Sequence, residues 1–242
     1  MQRSVTRELL DELPSHAPGA VGSRRDLRRL NTWMGNARTL AQALRSFPIA
    51  KAGPVRLVEL GAGDGDLLLK VARRLGDDWR GTEATLVDIQ DLLSSETRNG
   101  FYQAGWKISV TKADAFDWSR SMCGNSPQVV LANLFLHHFQ PKELQDLLCR
   151  LRQSSDFLVA VEPRRSVLSL IFSRLVRFIG CNSVTQHDAP ASVCAGFAGN
   201  ELSMIWGGTD EDWQISERRA GPFGHLFVAR NKSPKRAIAA TL

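Results

Sequence analysis

The stretch Val55-Arg-Leu-Val-Glu-Leu-Gly-Ala-Gly-Asp-Gly-Asp66 constrains this chain more than any other. Its apolar residues Val55, Leu57, Val58 and Leu60 predict a buried parallel strand. Gly61, Gly63 and Gly65 then let the backbone turn sharply and come close to a ligand. The pattern Leu67 to Leu75 is helical, so a helix N-terminus with free N–H groups faces that turn. A carboxylate or phosphate would be welcome there.

After Pro54 the pattern alternates. Strands are predicted at 55–60, 83–88, 106–110, 128–134 and 157–162, with helices at 65–75, 90–103 and 141–153. Alternation of this kind implies right-handed crossovers and a parallel sheet covered on both faces, with ligands at the C-terminal ends of the strands. Two further strands, 213–219 and 224–230, are separated by Gly221-Pro222 and neighbours, so they should pair as an antiparallel hairpin at the sheet edge. The expected fold is α/β: a doubly wound, mostly parallel seven-stranded sheet with an antiparallel C-terminal hairpin.

Around this core the sequence places other segments. Residues 1–50 read as an N-terminal helical cap: a short helix within 1–13, a Pro/Gly loop at 14–22, and a long helix over 24–47 that Gly35-Asn36 interrupts. Asn36 and Arg38 are either exposed helix residues or polar groups reaching a ligand carboxylate beneath a lid. Residues 51–230 form the main domain, within which 166–206 is a lid. There an amphipathic helix over 166–180 is followed by a loop-like insertion at 181–197 and a helix at 199–206. The basic tail 231–242 has little to bury and is expected to be mobile.

With 242 residues and 43% hydrophobic content, one domain with added segments is expected. Cys123, Cys149, Cys181 and Cys194 show no C-x-x-C or zinc-like spacing, and Met1 begins a polar segment, which point to reduced thiols in the cytoplasm and no metal site. The stretch Val167 to Ile179 is too short to span a bilayer and carries Arg174 and Arg177, leaving a peripheral, interfacial helix as an option. The formal charge of +6 allows nucleic-acid contact, but the basic residues are mostly scattered.

The glycine turn fits neither G-x-G-x-x-G, since position 66 is Asp, nor a P-loop. Glu59-Leu-Gly61-Ala-Gly63-Asp64-Gly65 resembles the E/D-x-G-x-G-x-G motif of class I, Rossmann-like S-adenosylmethionine (SAM) dependent methyltransferases. The resemblance covers roughly residues 55–165 at the level of motifs. It implies that Glu59, Gly61, Gly63, Asp64 and Gly65 hold the methionine portion of SAM, and that Asp88, ending the second strand, accepts hydrogen bonds from the ribose hydroxyls. Lys112-Ala-Asp114-Ala115-Phe116 is similar to the family's adenine turn. It assigns Asp114 to the exocyclic amino group and the Ala115 N–H to a ring nitrogen, with Ile89 and Phe116 as apolar walls. Asn133 falls where the family contacts the methionine part.

Leu134-Phe-Leu-His137-His138-Phe139 is similar to an L-x-x-H segment of small-molecule O-methyltransferases, in which the His takes a proton from a substrate hydroxyl. An imidazole with an ordinary pKa near 6.5 suits that task. His137 leads; His138 should face the other way if strand geometry persists; a purely structural His pair is the alternative. His187-Asp188 in the insertion is a further candidate base. The implied activity is methyl transfer to a small acceptor, foremost a hydroxyl oxygen of an aromatic, quinone-like or polyketide-like metabolite. N- or C-methylation, a nucleic-acid substrate and a non-catalytic SAM-binding subunit stay open, although the [DNS]-P-P-[YFW] pattern of base methyltransferases is missing. If the glycine turn cradles the cofactor, Gly63→Arg should abolish SAM binding in calorimetry, and retained binding would remove the turn from the site.

Overall fold

The computed structural model describes residues 1–48, 54–121, 127–207 and 211–233. Three N-terminal helices, α1 (Leu9–Glu12), α2 (Pro18–Met34) and α3 (Asn36–Leu44), precede β1 (Arg56–Leu60) and α4 (Asp66–Leu75). There follow β2 (Glu83–Asp88), α5 (Ser95–Gln103), β3 (Lys107–Lys112), α6 (Ala115–Ser121), β4 (Val129–Asn133), α7 (Pro141–Ser154) and β5 (Phe157–Pro163). The chain then forms α8 (Val167–Arg174), a 3₁₀ turn Leu175–Ile179, α9 (Ser183–Ala195), α10 (Glu201–Trp206), β6 (Trp213–Ala220) and β7 (Gly224–Asn231).

The seven strands form one sheet in the order β3-β2-β1-β4-β5-β7-β6. The first five are parallel, and β7 runs antiparallel to both β5 and β6. This is the doubly wound arrangement expected from the alternating pattern, and the order reverses between β1 and β4, where a ligand crevice opens.

Side-chain alternation splits the core between the two faces. Leu57, Leu86, Leu131 and Val159 pack with Leu40 and Leu44 of α3, Leu68 and Val71 of α4, and Phe101 of α5. Val58, Val130, Ala132 and Leu158 pack on the opposite face with Leu144 and Leu148 of α7 and Trp206 of α10. Helix α3 is thus part of the main core layer, whereas α1, α2, α8 and α9 gather over the C-terminal ends of the strands. The expected boundary at 50/51 and most of the basic tail lie outside the described residues.

Several local expectations are corrected. The insertion 181–197 is not a loop: it contains the 13-residue helix α9, whose N-cap Asn182 accepts from the Thr185 N–H, although Pro190 lies inside. Proline removes one helical hydrogen bond, and tertiary contacts compensate. Asp26 accepts from the Asn182 N–H at 2.8 Å and the Thr185 hydroxyl at 3.2 Å, and Asn182 donates to the Gly19 carbonyl at 2.7 Å. The 14–22 loop is shorter than expected, because Pro18 starts α2 at the first helical position, where its missing N–H costs nothing. Helix α5 begins at Ser95 instead of 90, since Ser94 caps it by accepting from the Thr97 N–H.

Because Leu44 is fully buried against the sheet, Leu44→Ala should cost about 2–5 kcal/mol. Urea denaturation should show that loss in one transition. A separate transition for the N-terminal helices would mean that they fold as an independent cap.

Candidate active site

A cavity of about 940 Å³ occupies the crevice above β1, β2 and β4 and is roofed by residues of α1, α2, α8 and α9. The glycine turn forms part of its floor. The Gly61 N–H donates to the Val87 carbonyl at 2.9 Å, and Gly61 takes φ +64. A Cβ there would lie 2.3 Å from the Phe135 ring, so only glycine lets the segment after β4 close over the turn. Asp88 fixes the other side of the turn, accepting from the Gly63 N–H and the Gln90 N–H, each at 2.9 Å. Burial raises the Asp88 pKa, and these two N–H bonds work against that rise.

The wall beside the turn is acidic. Glu59 is buried and lines the cavity, and its Oε2 has no hydrogen-bond partner. Burial first, then the charges of Asp64, Asp88 and Asp66, pushes its carboxyl well above the ordinary range. Arg28 of α2 pairs with Asp64, and Lys70 with Asp66 at 2.8 Å. A buried carboxyl oxygen without a donor, in an acidic wall, matches a cationic ligand group.

Ile89, Asp114, Ala115 and Asn133 also line the cavity. Asp114 accepts from the Phe116 N–H at 2.7 Å. The Phe116 ring lies behind this wall, edge-on to Phe139 at 5.2 Å, so Phe139 and Phe135 present the aromatic surface. Asn133 joins an amide triangle: the Asn36 amide donates to Asn133 Oδ1 at 2.9 Å and to Asn31 Oδ1 at 2.8 Å, and the Asn133 amide donates to Asn31 Oδ1 at 3.1 Å. The triangle ties the roof helix to the end of β4. Arg38 lies on the exposed side of α3, away from the cavity; Arg28 is an arginine that lines it.

The segment after β4 turns through Leu134, the one non-glycine residue with positive φ among the described residues (+51). The fully buried Glu162 of β5 holds that strained turn. Its carboxylate accepts from the N–H groups of Phe135, Leu136 and His137 at 3.1, 2.9 and 3.3 Å. It also meets His137 Nδ1 at 2.8 Å, while His137 Nε2 lies 3.2 Å from Glu8 of the N-terminal segment. Arg3 caps the same turn by donating to the carbonyls of His137 at 3.1 Å and Phe139 at 2.9 Å.

Both ring nitrogens of His137 thus meet carboxylates, unlike the ordinary imidazole expected of a base. Burial alone would lower its pKa, but hydrogen bonds and charge from Glu162 and Glu8 outweigh burial and raise it to about 9. At neutral pH it already carries both ring protons and is unsuited to accept another. The next imidazole differs: His138 lines the cavity, and its Nδ1 lies 3.0 Å from Asp11, leaving Nε2 as the nitrogen not engaged by Asp11. Both rings reach the site because the strand ends at Asn133 and a 3₁₀ turn begins at Leu136. Ring nitrogens of His137 and His138 and a carboxylate oxygen of Glu8 lie within 4.8 Å of one another, and the carboxylates of Glu162 and Asp11 adjoin that group. His187 is half-exposed and outside the cavity lining; its neighbour Asp188 accepts from the Leu9 and Leu10 N–H groups at 2.9 and 3.0 Å and so anchors α1.

Residues 57–155 match the family described as "Methyltransferase domain". The matched segment, from β1 to the end of α7, carries the glycine turn, Asp88 and Asp114. No curated protein matches this chain by sequence. Among solved structures, the plantazolicin methyltransferase BpumL in complex with SAH is similar to it at 13% identity and a TM-score of 0.65, covering 92% of this chain and 93% of that one. Human N-acetylserotonin methyltransferase in complex with SAM is similar at 15% identity and a TM-score of 0.54, covering 94% of this chain and 63% of that one. Magnesium protoporphyrin IX methyltransferase from Synechocystis PCC 6803 with bound SAH is similar at 12% identity and a TM-score of 0.51, covering 82% and 83%.

Several residues of the cavity escape a reading of the sequence. Glu8, Asp11, Arg28 and Asn31 reach it from segments read as a cap, and Glu162, at the end of β5, acts from behind the lining through His137. A Glu buried at the end of an apolar strand was the one available signal. Arg165 is itself buried, paired with Glu201 and donating to the Gly196 carbonyl at 3.1 Å.

The folded His137 pKa of about 9 exceeds its ordinary 6.5. Its contribution to stability should be fully present below pH 6.5 and lost as pH rises through 9. The unfolding free energy of the wild type relative to His137→Gln should therefore shrink between pH 6 and pH 9.5. In Glu8→Gln the decline should begin at lower pH. A wild-type advantage constant over that range would show that His137 is not held protonated.

Proposed function

We propose that this enzyme transfers a methyl group to a hydroxyl oxygen of a small aromatic, quinone-like or polyketide-like acceptor, with His138 as general base. The reading is carried by one observation: the His138–Asp11 pair lines the same cavity as the acidic, glycine-turned end that suits the cofactor. The apolar lining contributed by Trp33, Phe135, Phe139 and Phe172 supports an acceptor with a ring or hydrocarbon body.

On this reading Asp88 receives the ribose hydroxyls, Asp114 the adenine amino group, and Glu59 the methionine ammonium that its partnerless Oε2 lacks. Arg28, reaching over the glycine turn from α2, is placed for the methionine carboxylate. S-adenosylmethionine, when bound, supplies a sulfonium methyl group electrophilic enough for direct displacement. The protein's work is then orientation and exclusion of water, worth several kcal/mol in such sites. Asp11 holds His138 with its Nδ1 proton directed at the carboxylate, so Nε2 takes the proton of the acceptor hydroxyl. The resulting imidazolium is stabilised by the same carboxylate. His137, already protonated between Glu162 and Glu8, fixes the turn that presents His138.

His138→Ala should lower kcat with a phenolic acceptor by about 100- to 10,000-fold while leaving the calorimetric affinity for SAM unchanged. An amine acceptor, needing less help with deprotonation, should be affected less. An unchanged kcat with the true acceptor would remove His138 as the base.

A further inference from the structure

Helix α8 and the 3₁₀ turn that follows are inverted with respect to an ordinary lid helix. The residues they bury are Ser169, Ser173 and Val176, while Val167, Leu168, Ile171, Phe172, Leu175, Phe178 and Ile179 are exposed, Phe178 to 70%. A surface helix normally does the opposite. Nearby Trp33 of α2 is exposed to 62%, and Arg29 links the two segments, donating to the Ile179 carbonyl at 3.1 Å with its guanidinium over the Trp33 ring at 5.6 Å. A contiguous apolar face of this kind marks an interaction surface.

Two observations say what covers it. First, cations are interleaved with the apolar residues: Arg174 and Arg177 are exposed on the same element, Arg177 lies 4.6 Å over the Phe178 ring, and Arg25 and Arg29 are exposed on α2. Exposed Asp and Glu are absent from residues 167–179, which carry no acidic residue at all. Second, the face is continuous with the mouth of the cavity, because Trp33, Phe172, Leu175, Phe178, Ile179 and Phe223 also line it. Apolar side chains with a tryptophan and arginines at their edge match the boundary between acyl chains and anionic headgroups. Among the described residues no helix is long and apolar enough to cross a membrane, so contact would be superficial.

We infer that α8, the following 3₁₀ turn and Trp33 dock this enzyme on an anionic lipid bilayer, with the cavity mouth turned towards the membrane. An amphiphilic acceptor could then pass from the bilayer into the site without its hydrocarbon part entering water. Docking is independent of the assignment of His138 and of the methylated atom, and it is measured without turnover.

The test uses the full chain with vesicles of phosphatidylcholine alone or with about 30% phosphatidylglycerol, read by flotation. Binding to the anionic vesicles is expected to be about tenfold stronger or more. Leu168→Asp with Ile171→Asp, positions outside the cavity lining, should reduce it at least about tenfold, with the SAM affinity and unfolding midpoint unchanged. Arg174→Glu with Arg177→Glu should erase the preference for anionic lipid, and this pair decides the matter if the aspartate variant is unstable. No vesicle binding, equal binding to both compositions, or binding insensitive to the arginine pair would overturn the inference. So would light scattering that shows a wild-type dimer dissociated by Leu168→Asp, since a second copy would then cover the face.

Discussion

One buried carboxyl group organises the cavity end of this fold. Glu162, at the end of a strand with no exposed residue, offers its oxygens to three consecutive backbone N–H groups and to His137. A buried charge is tolerable only when hydrogen bonds replace its lost hydration. Here they do so while holding Leu134 at φ +51 and closing Phe135 over Gly61. The glycine turn, the aromatic wall and both imidazoles therefore take their positions relative to one side chain that is not itself part of the cavity lining.

The same network extends outward into the N-terminal segment. Glu8 meets His137 and the Ser192 hydroxyl, Arg3 caps two carbonyls of the turn and sits over the Phe197 ring at 4.7 Å, and Asp188 secures the start of α1. Residues remote in the chain thus complete the site, and the roof is fixed to the floor through hydrogen bonds to charged groups, which are stronger than neutral ones. Burial and charge pull against each other at Glu8 as at His137: burial raises its pKa, but the hydrogen bond and charge of His137 prevail and hold the carboxyl below its usual value. The partners thus keep each other ionised, which is how a doubly bonded imidazole becomes a structural cation.

Where the sequence was informative, the physics was local. Apolar runs locate the five parallel strands to within a residue or two, most plainly β1, β4 and β5, whose burial on both faces demands them. The 213–219 and 224–230 strands form the antiparallel hairpin because only a short turn at Gly221-Pro222 separates them. Where it was not, tertiary contacts overrode local preference. Pro190 and the polar run around it argue for a loop, yet bonds from Asp26 and Asn182 hold a helix there. The amphipathic pattern of 166–180 gives a helix, but not the fact that its serines face inward.

From the sequence alone follow the sheet and the glycine turn, with Asp88 and Asp114 at successive strand ends, because strand period and turn chemistry depend on neighbours in the chain. The tertiary structure decides which carboxylates each imidazole meets. His137 and His138 are adjacent and chemically identical as written, and they diverge only because Glu162 and Glu8 enclose one while Asp11 and the cavity receive the other. Proton affinity depends on charges and burial in three dimensions, and Glu8, 129 positions from His137, is brought within 3.2 Å of it only by the fold.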